Sequence, residues 1–475
     1  MSSTPARIEL HPDRLLPADP TTRAIARRLY AEVADLPIIS PHGHVDAAVL
    51  ADDVPFGNPA ELFVTPDHYV TRMLHANGVP LRDLGLADAD APDATPADPR
   101  EIWRTFCTHW KAYRATPVRS WMEAELVDVF GITTTPSAET ADELYDALSD
   151  RLAQPEFQPR ALYRRFNLEV LATTDDPASG LAAHRALADD PSWPGRVVPT
   201  FRPDRYLALD VAPGSALADL SSAAGVDATT YDGYIGALET RRRYFIENGG
   251  TASDHGVVDA RTEALEHDEA ATIFDRLLAG TAPPADADRF RRHMLTETAR
   301  MAADDGLVMQ VHPGVLRNHH GPTYRRFGPD RGHDIPVATE YTRALQPLLE
   351  KYGTHPNFRM VLFTVDEDAF SREVAPLAGF YPSVFVGAPW WFLDTPDAMM
   401  RFREAVTDSA GFYRTAGFVD DTRAFCSIPA RHDTARRVDC SFLARLVAEH
   451  RIGEDESLET ARDLAYRLPK EVFRL

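Results

Sequence analysis

The stretch Leu36-Pro37-Ile38-Ile39-Ser40-Pro41-His42-Gly43-His44-Val45-Asp46 predicts a short buried strand that ends in His-x-His. Because side chains alternate between the two faces of a strand, His42 and His44 point the same way. Two imidazoles that converge at a strand end supply half of a metal site. The alternative is that one histidine is buried and bonded to a backbone carbonyl while the other is solvated. An isolated His-x-His does not separate these two readings.

The composition of the 475-residue chain, 44% hydrophobic and 26% charged, is that of a globular protein. No run approaches the roughly 18 apolar residues that a membrane span needs. The net charge of -22 argues against nucleic acid as a partner, because phosphate binding needs a basic face. The 3 cysteines are not spaced as CxxC and the N-terminus lacks the apolar core of a secretory signal. We therefore expect a cytoplasmic location.

Short runs rich in β-branched residues recur along the chain, and each is followed by Gly or Pro and then by a long helix-like stretch. This rhythm is typical of a parallel α/β fold. The predicted strands are 36–44, 168–174, 196–201, 250–254, 307–312, 359–365, 383–388 and 417–421. Because eight parallel strands close a (β/α)8 barrel, we expect residues 1–475 to form a single barrel domain.

The intervals between the predicted strands are uneven. Residues 50–165 are far more than one crossover helix requires, and the spacing of apolar residues such as Ile102, Phe106 and Leu148 predicts helices there. We expect an inserted helical subdomain over 50–165, between strands one and two, and further helical excursions over 206–248 and 259–304. Exposed apolar helices of the insertion are a candidate surface for a homo-oligomer.

The eighth predicted strand ends at Asp421. In a closed barrel the first and last strands are neighbours, and active sites collect at the C-terminal ends of strands, so Asp421 is expected beside His42 and His44. Two imidazoles and one carboxylate would hold one divalent ion with positions left open for substrate or water. The alternative role for Asp421 is to cap a following helix. His312, which ends the fifth strand, is either a further ligand or a neutral hydrogen-bonding group facing the substrate.

Three arginines, Arg202, Arg317 and Arg423, each follow a predicted strand. Guanidinium groups at strand ends suit bidentate binding of a carboxylate or phosphate, so an anionic small-molecule substrate is expected. The alternative is that these arginines pair with acidic residues on the surface.

Two groups of aromatic residues are candidates for the same pocket. His68 and Tyr69 are proton-transfer groups that lie early in the insertion, although core packing is the commoner role of such a pair. Trp390, after the seventh strand, either forms a wall of the pocket or packs in the core.

A set of motifs occurs in one order along the chain. They are His42-Gly43-His44, Asp67-His68-Tyr69 with Arg72, Thr173-Thr174-Asp175-Asp176-Pro177, Pro199-Thr200-Phe201-Arg202-Pro203-Asp204, Ser253-Asp254-His255-Gly256, Met309-Gln310-Val311-His312 with Arg317-Asn318, Trp390-Trp391-Phe392, Asp421-Thr422-Arg423 and Arg431-His432. In this set and order the chain resembles the uronate isomerases (glucuronate isomerases) of the amidohydrolase superfamily, nearly end to end. It departs from the family's pattern at Thr71, at Pro389 and over 363–370.

The resemblance implies a (β/α)8 TIM-type barrel of the metal-dependent hydrolase type with a helical insertion, and a single metal ion, zinc or alternatively manganese. It also implies interconversion of a hexuronate with its 2-keto isomer, glucuronate with fructuronate or galacturonate with tagaturonate. By position, the metal-associated residues would be His42, His44 and Asp421, the substrate contacts Arg202 and Arg423, and the groups over the reactive end His68 and Tyr69. The alternative within the same superfamily is a metal-dependent hydrolase of a carboxylated sugar derivative or lactone.

Overall fold

The computed structural model describes residues 6–209 and 213–475, and over these residues it is a mixed α/β structure built on parallel sheets. Its strands are short, between two and five residues each. They are β1 (Ile38–Ser40), β2 (Leu168–Ala172), β3 (Arg196–Val198), β4 (Thr200–Phe201), β5 (Ala252–His255), β6 (Val308–Val311), β7 (Val315–Leu316), β8 (Ile335–Pro336), β9 (Met360–Leu362) and β10 (Val384–Val386).

Two parallel sheets follow one another around the molecule. The first has the order β1-β2-β3 and the second the order β4-β5-β6-β9-β10, while β7 and β8 form a separate antiparallel pair. A parallel bridge between Asp175 and Phe201 joins the segment after β2 of the first sheet to β4, the edge strand of the second. A further parallel bridge joins Val386 of β10 to Thr415, just before the last predicted strand.

Helices fill the intervals between the strands. In chain order they are α1 (Pro20–Val33), α2 (Ala47–Asp52), α3 (Pro59–Phe63), α4 (His68–Ala76), α5 (Pro99–Thr108), α6 (Pro117–Ala124), α7 (Ala141–Leu152), α8 (Pro159–Arg165), α9 (Ala182–Asp189), α10 (Asp204–Ala208), α11 (Pro213–Ala224), α12 (Tyr231–Glu247), α13 (His267–Leu278), α14 (Pro284–Asp305), α15 (Gly321–Phe327), α16 (Gln346–Tyr352), α17 (Ala375–Phe380), α18 (Pro396–Ala410), α19 (Ile428–Ala448), α20 (Glu454–Arg462) and α21 (Leu468–Val472).

Many of these helices begin with proline in the first turn, where the missing N–H costs nothing, and several have an acidic or hydroxyl N-cap. Shorter helical turns of 3₁₀ or π type connect them. They are Leu81–Leu84, Trp110–Tyr113, Glu125–Val129, Pro155–Phe157, Phe370–Val374, Trp391–Leu393, Phe412–Arg414, Phe425–Ser427 and Asp463–Arg467.

Side-chain alternation along β6 shows how the sheet separates the core from the site. Met309 and Val311 belong to one apolar cluster that also contains Ala299 of α14 and Phe402 of α18. Gln310 is fully buried and points to the other face, because neighbouring side chains on a strand take opposite sides. His312 continues that second face, so the helices cover one side of the sheet and the polar strand ends meet on the other.

Seven of the eight predicted strands are confirmed, with shorter bounds. The third is divided into β3 and β4 at Pro199, which has no N–H to donate to a ladder. The prediction of a strand over 417–421 is wrong: this segment is irregular. Its first residue, Gly417, has a φ of +73° and its last, Asp421, a φ of +44°, so neither end is extended.

Helices α2 to α8 lie between β1 and β2, in the region where an inserted subdomain is expected. Helices α10 to α12 occupy the first predicted excursion, and α13 and α14 occupy the second. Residues 210–212 of the first excursion lie outside the described residues, as do residues 1–5 at the N-terminus. Within 6–209 and 213–475, no helix combines the length and the apolar character that a membrane span requires.

Candidate active site

The segment that ends at Asp421 lies directly beside the end of β1, as expected from the sequence. The backbone N–H of His44 donates to the carbonyl of Thr422 at 2.9 Å, and the N–H of Asp421 donates to the carbonyl of His42 at 3.3 Å. The left-handed backbone at Asp421 is uncommon for a residue other than glycine, and such strain is concentrated at functional sites. Asp421 does not cap the next helix, since the N-cap of α19 is Ser427.

His42, His44 and Asp421 form a cluster with the spacing of metal ligands. Oδ1 of Asp421 lies 3.2 Å from Nε2 of His42 and 3.0 Å from Nε2 of His44. Despite this closeness, Oδ1 is buried and has no partner of hydrogen-bond geometry among the described residues. Two imidazole nitrogens and a carboxylate oxygen that face one point are the donor set of a divalent transition metal. The three residues therefore fit a metal ion.

The electrostatics of this cluster favour an anionic carboxylate. Burial opposes the charge on Asp421, yet the facing imidazoles hold its pKa well below the usual value. Burial also lowers the pKa of His44, which favours the neutral imidazole that a metal requires.

A second histidine–carboxylate cluster, formed by Asp254 at the end of β5 and His312 after β6, lies beside the first. Nε2 of His312 contacts Oδ1 of Asp254, and a guanidinium nitrogen of Arg202 lies 3.2 Å from Oδ2. His42 borders both clusters, with its ring centroid 6.0 Å from that of His312. Burial opposes the charge on Asp254, but His312 and Arg202 keep its pKa well below the usual value.

The predicted site residues are brought together around one cavity of about 370 Å³, within the size range of small-molecule pockets. His42 and His312 lie deeper, around a small void that shares Trp390 and Asp421 with the cavity. The predicted residues that line the main cavity are His44, His68, Tyr69, Arg202, Arg317, Trp390, Asp421 and Arg423.

The three predicted arginines all reach the cavity, and each is held by acidic side chains. Arg202 pairs with Asp204 at 2.9 Å as well as with Asp254. Arg423 donates to Asp330 at 2.9 Å, and Arg317 pairs with Asp334 at 3.0 Å. The alternative is met in part, because the side chains of Arg317 and Arg423 are 40% and 39% exposed and both pair with aspartates. All three arginines also line the cavity, where guanidinium groups suit a carboxylate or phosphate.

His68 and Tyr69, at the first turn of α4, also line the cavity. Asp67 caps this helix by accepting from the N–H of Tyr69 at 2.8 Å, which fixes the start of the helix and both side chains. The two rings stack with centroids 4.7 Å apart, and Trp391 meets His68 edge-on at 5.7 Å. Burial lowers the pKa of the imidazole and raises that of the phenol, so both are neutral near pH 7.

The acidic residues that hold the arginines were not predicted from the sequence as site residues. Asp254 occupies the end of a predicted strand, as His312 does, so its position was a usable signal. Asp204, Asp330 and Asp334 lie in irregular segments or at a helix start, where no periodicity marks them. Arg431 of α19 also lines the cavity although it lies beyond the last strand end.

Comparisons with known proteins identify the family of the chain. A family model described as glucuronate isomerase matches residues 20–473. A protein named uronate isomerase from Corynebacterium efficiens is 52% identical over 468 residues, which cover 98% of each chain. A crystal structure of glucuronate isomerase from Caulobacter crescentus superimposes with a TM-score of 0.96 at 47% identity, over 98% of this chain and 97% of that one. A uronate isomerase structure from Thermotoga maritima has a TM-score of 0.91 at 28% identity, over 98% and 99%.

Proposed function

The chain belongs to the glucuronate isomerase family, and from this premise we propose that it is an enzyme that interconverts a hexuronate with its 2-keto isomer. The substrates that we propose are D-glucuronate, which gives D-fructuronate, and D-galacturonate, which gives D-tagaturonate. The observation that carries the proposal is the convergence of a His-His-Asp cluster, three arginines and a His-Tyr pair on one cavity. The comparisons do not favour the metal-dependent hydrolase that the sequence left as the alternative.

The fold that we propose for this site is a closed (β/α)8 barrel in a single domain, with the helices of 50–165 as an insertion. Both sheets are parallel, and a bridge joins them at Phe201. The backbone hydrogen bonds of Asp421 and His44 join the last segment to β1, and the Val386–Thr415 bridge joins it to β10. These links run once around the molecule, which supports closure.

A single divalent ion, zinc or alternatively manganese, is proposed at His42, His44 and Asp421. Two imidazoles and one carboxylate leave room for substrate oxygens, and such an ion polarises a carbonyl or hydroxyl that binds to it. We assign His312 to orientation of the site rather than to the ligand set, because its partner Asp254 is already paired with Arg202.

The arginine side of the cavity is proposed to bind the C6 carboxylate of the sugar. Arg202, Arg317 and Arg423 present guanidinium groups, which match a carboxylate in a bidentate manner. In this pose the reacting carbons lie toward Asp421, His68 and Tyr69. Trp390, whose ring lies 5.1 Å from that of His312, also lines the cavity.

Isomerisation moves a proton between C1 and C2 and another between the two oxygens. We propose that Asp421, which the two imidazoles keep ionised, removes the proton from C2 to give an enediol and returns it at C1. Tyr69, whose phenol is neutral, or its neighbour His68 carries the hydroxyl proton between the oxygens. Each group has the protonation state at neutral pH that its role needs.

Two further expectations from the sequence remain proposals. All three cysteines are buried and unpaired, which supports a reducing, cytoplasmic location. Self-association through the insertion stays a prediction.

The proposed function is tested by incubating the purified protein with D-glucuronate and D-galacturonate separately and following the ketouronate product. We expect isomer formation from at least one of them, with solvent deuterium entering the product at C1 or remaining substrate at C2. Hydrolysis of a hexuronate lactone or amide, without any isomer, would instead support the hydrolase class.

A further inference from the structure

A buried ion pair lies beside Tyr69, and its arginine also lines the cavity. Arg431 of α19 donates to Oδ2 of Asp394 at 2.8 Å, and the two residues are only 1% and 2% exposed. Removing two charges from water is costly, and a buried ion pair is often no more stabilising than apolar residues of the same volume. The pair therefore calls for an explanation other than stability.

Arg431 is fixed from three directions. The same nitrogen that meets Asp394 also donates to the carbonyl of Asp420 at 3.1 Å, and Nε donates to the hydroxyl of Ser427 at 3.2 Å. The flat face of the guanidinium lies over the ring of Trp121, 3.7 Å from its centroid. The side chain thus joins the segment that carries Asp421 to the inserted helix α6.

The same guanidinium group faces the ring of Tyr69, 5.3 Å from its centroid. Tyr69 therefore contacts Arg431 and His68, and Trp121 meets it edge-on at 6.0 Å. Stacking and cation–π contacts on several sides restrict the rotation of a ring before the substrate binds. The positive charge also acts on the phenol, whose pKa is raised by burial and lowered by Arg431.

We propose that Arg431, anchored by Asp394, is a positioning residue for Tyr69 in the isomerisation. The inference rests on the proposed function, because it assigns a role relative to the proton transfer at Tyr69. Arg431 sets the direction of the phenol and stabilises negative charge on its oxygen while the proton is shared. Asp394 acts indirectly, because it holds Arg431 in place.

The chain offers a matched control on the same helix. Arg437 is also buried, pairs with Asp433 at 2.8 Å and lies over a tyrosine ring, that of Tyr30, at 4.1 Å. It does not line the cavity. A loss that merely reflects a broken buried arginine–aspartate pair should therefore be shared by Arg431→Met and Arg437→Met.

We expect Arg431→Met to lower kcat about 100-fold with KM changed less than about threefold, whereas Arg437→Met keeps kcat within about twofold. Arg431→Lys should recover part of the loss. In the Tyr69→Phe background, Arg431→Met should change kcat by about threefold or less, because its effect acts through Tyr69. The double variant Arg431→Met/Asp394→Asn, which leaves no unpaired buried charge, should show the same loss if the single variant folds poorly.

A measurement independent of turnover uses protein labelled with 3-fluorotyrosine. The fluorine resonance of Tyr69, assigned as the one missing in Tyr69→Phe, should shift or broaden in Arg431→Met and stay in place in Arg437→Met. Equal kinetic losses from both arginine variants, an undiminished effect of Arg431→Met in the Tyr69→Phe background, or an unmoved Tyr69 resonance would overturn the inference. Failure of the proposed function is distinguishable, because it would already appear as an inactive wild-type protein.

Discussion

The two histidine–carboxylate clusters of the cavity contain the same residue types but differ in what balances their carboxylates. Asp254 faces both an imidazole and the guanidinium group of Arg202, and it is completely buried. Asp421 faces two imidazoles, with its Oδ1 free of any hydrogen bond among the described residues, and it borders the open cavity. A carboxylate already matched by an arginine needs no metal ion for charge balance, whereas a carboxylate that faces only imidazoles gains a permanent balancing charge when a metal ion binds.

On this comparison we propose metal binding and proton transfer at Asp421 and orientation of the site at Asp254. Both Asp254 and Arg202 are thereby kept charged, and Arg202 is held where it can meet the substrate. The lesson is that a geometric cluster of histidine and carboxylate is not by itself a metal site. Whether such a cluster binds a metal ion depends on the groups that balance the charge of its carboxylate.

The largest effect is expected from Asp421→Asn. The amide cannot remove a proton and is a weaker ligand, so kcat should fall about 1000-fold or more and the bound metal should decrease. Asp254→Asn is the matched variant and should keep about one metal ion per chain. Steady-state kinetics and elemental analysis of both proteins check this. Near-normal turnover of Asp421→Asn would remove it as the base.

A smaller effect separates His44 from His312, the two histidines whose rings neighbour that of His42. We expect His44→Ala to weaken the affinity for Zn²⁺ more than about 100-fold, since it removes a ligand. His312→Gln should weaken it by about tenfold or less, since it changes only a neighbour of the ligand set. Competition with a chromophoric chelator gives both dissociation constants. Equal losses would make His312 a ligand.

Part of the site that carries these two clusters was predictable from the sequence. The period-2 alternation of a strand placed His42 and His44 on one face, and barrel adjacency brought Asp421 to them. The segment 417–421 was not recognised as irregular, because its backbone is set by contacts with β1 and by the left-handed residue at its end.

Other features lack any local signal. The antiparallel pair of β7 and β8 has strands of two residues, too short to show alternation. Asp330 and Asp334 lie in the chain between this pair's elements and meet the arginines only through the tertiary fold. Ser253 and His255 make β5 polar, so a buried strand was hard to distinguish from a loop, although its presence was predicted.

The smallest effect concerns a buried carboxyl whose pKa is raised by burial. Glu125, in the π turn after α6, has a buried oxygen without a hydrogen-bond partner among the described residues, and burial raises its pKa to about 8 although Arg431 acts in the opposite direction. The ordinary pKa of a glutamate side chain is 4.5. Between these two pH values the folded protein holds a proton that the unfolded chain has released, so stability falls as the pH rises through this window.

Glu125→Gln removes this titration. Relative to wild type, its melting temperature should therefore rise between pH 5 and pH 8, by about 1–3 °C, because an amide pays no cost of ionisation. Thermal unfolding at the two pH values measures the difference. A constant offset between the two proteins would show that Glu125 is balanced by a group in its surroundings, as Asp254 is.

The central claim is that one metal ion at His42, His44 and Asp421 supports hexuronate isomerisation. Its most direct test is to strip the purified protein with a chelator, return Zn²⁺ or Mn²⁺ in measured steps, and follow ketouronate formation from D-glucuronate and D-galacturonate. We expect activity to rise linearly and to level off at about one equivalent of metal per chain. Full activity of the stripped protein, or activity that needs about two equivalents, would contradict the account.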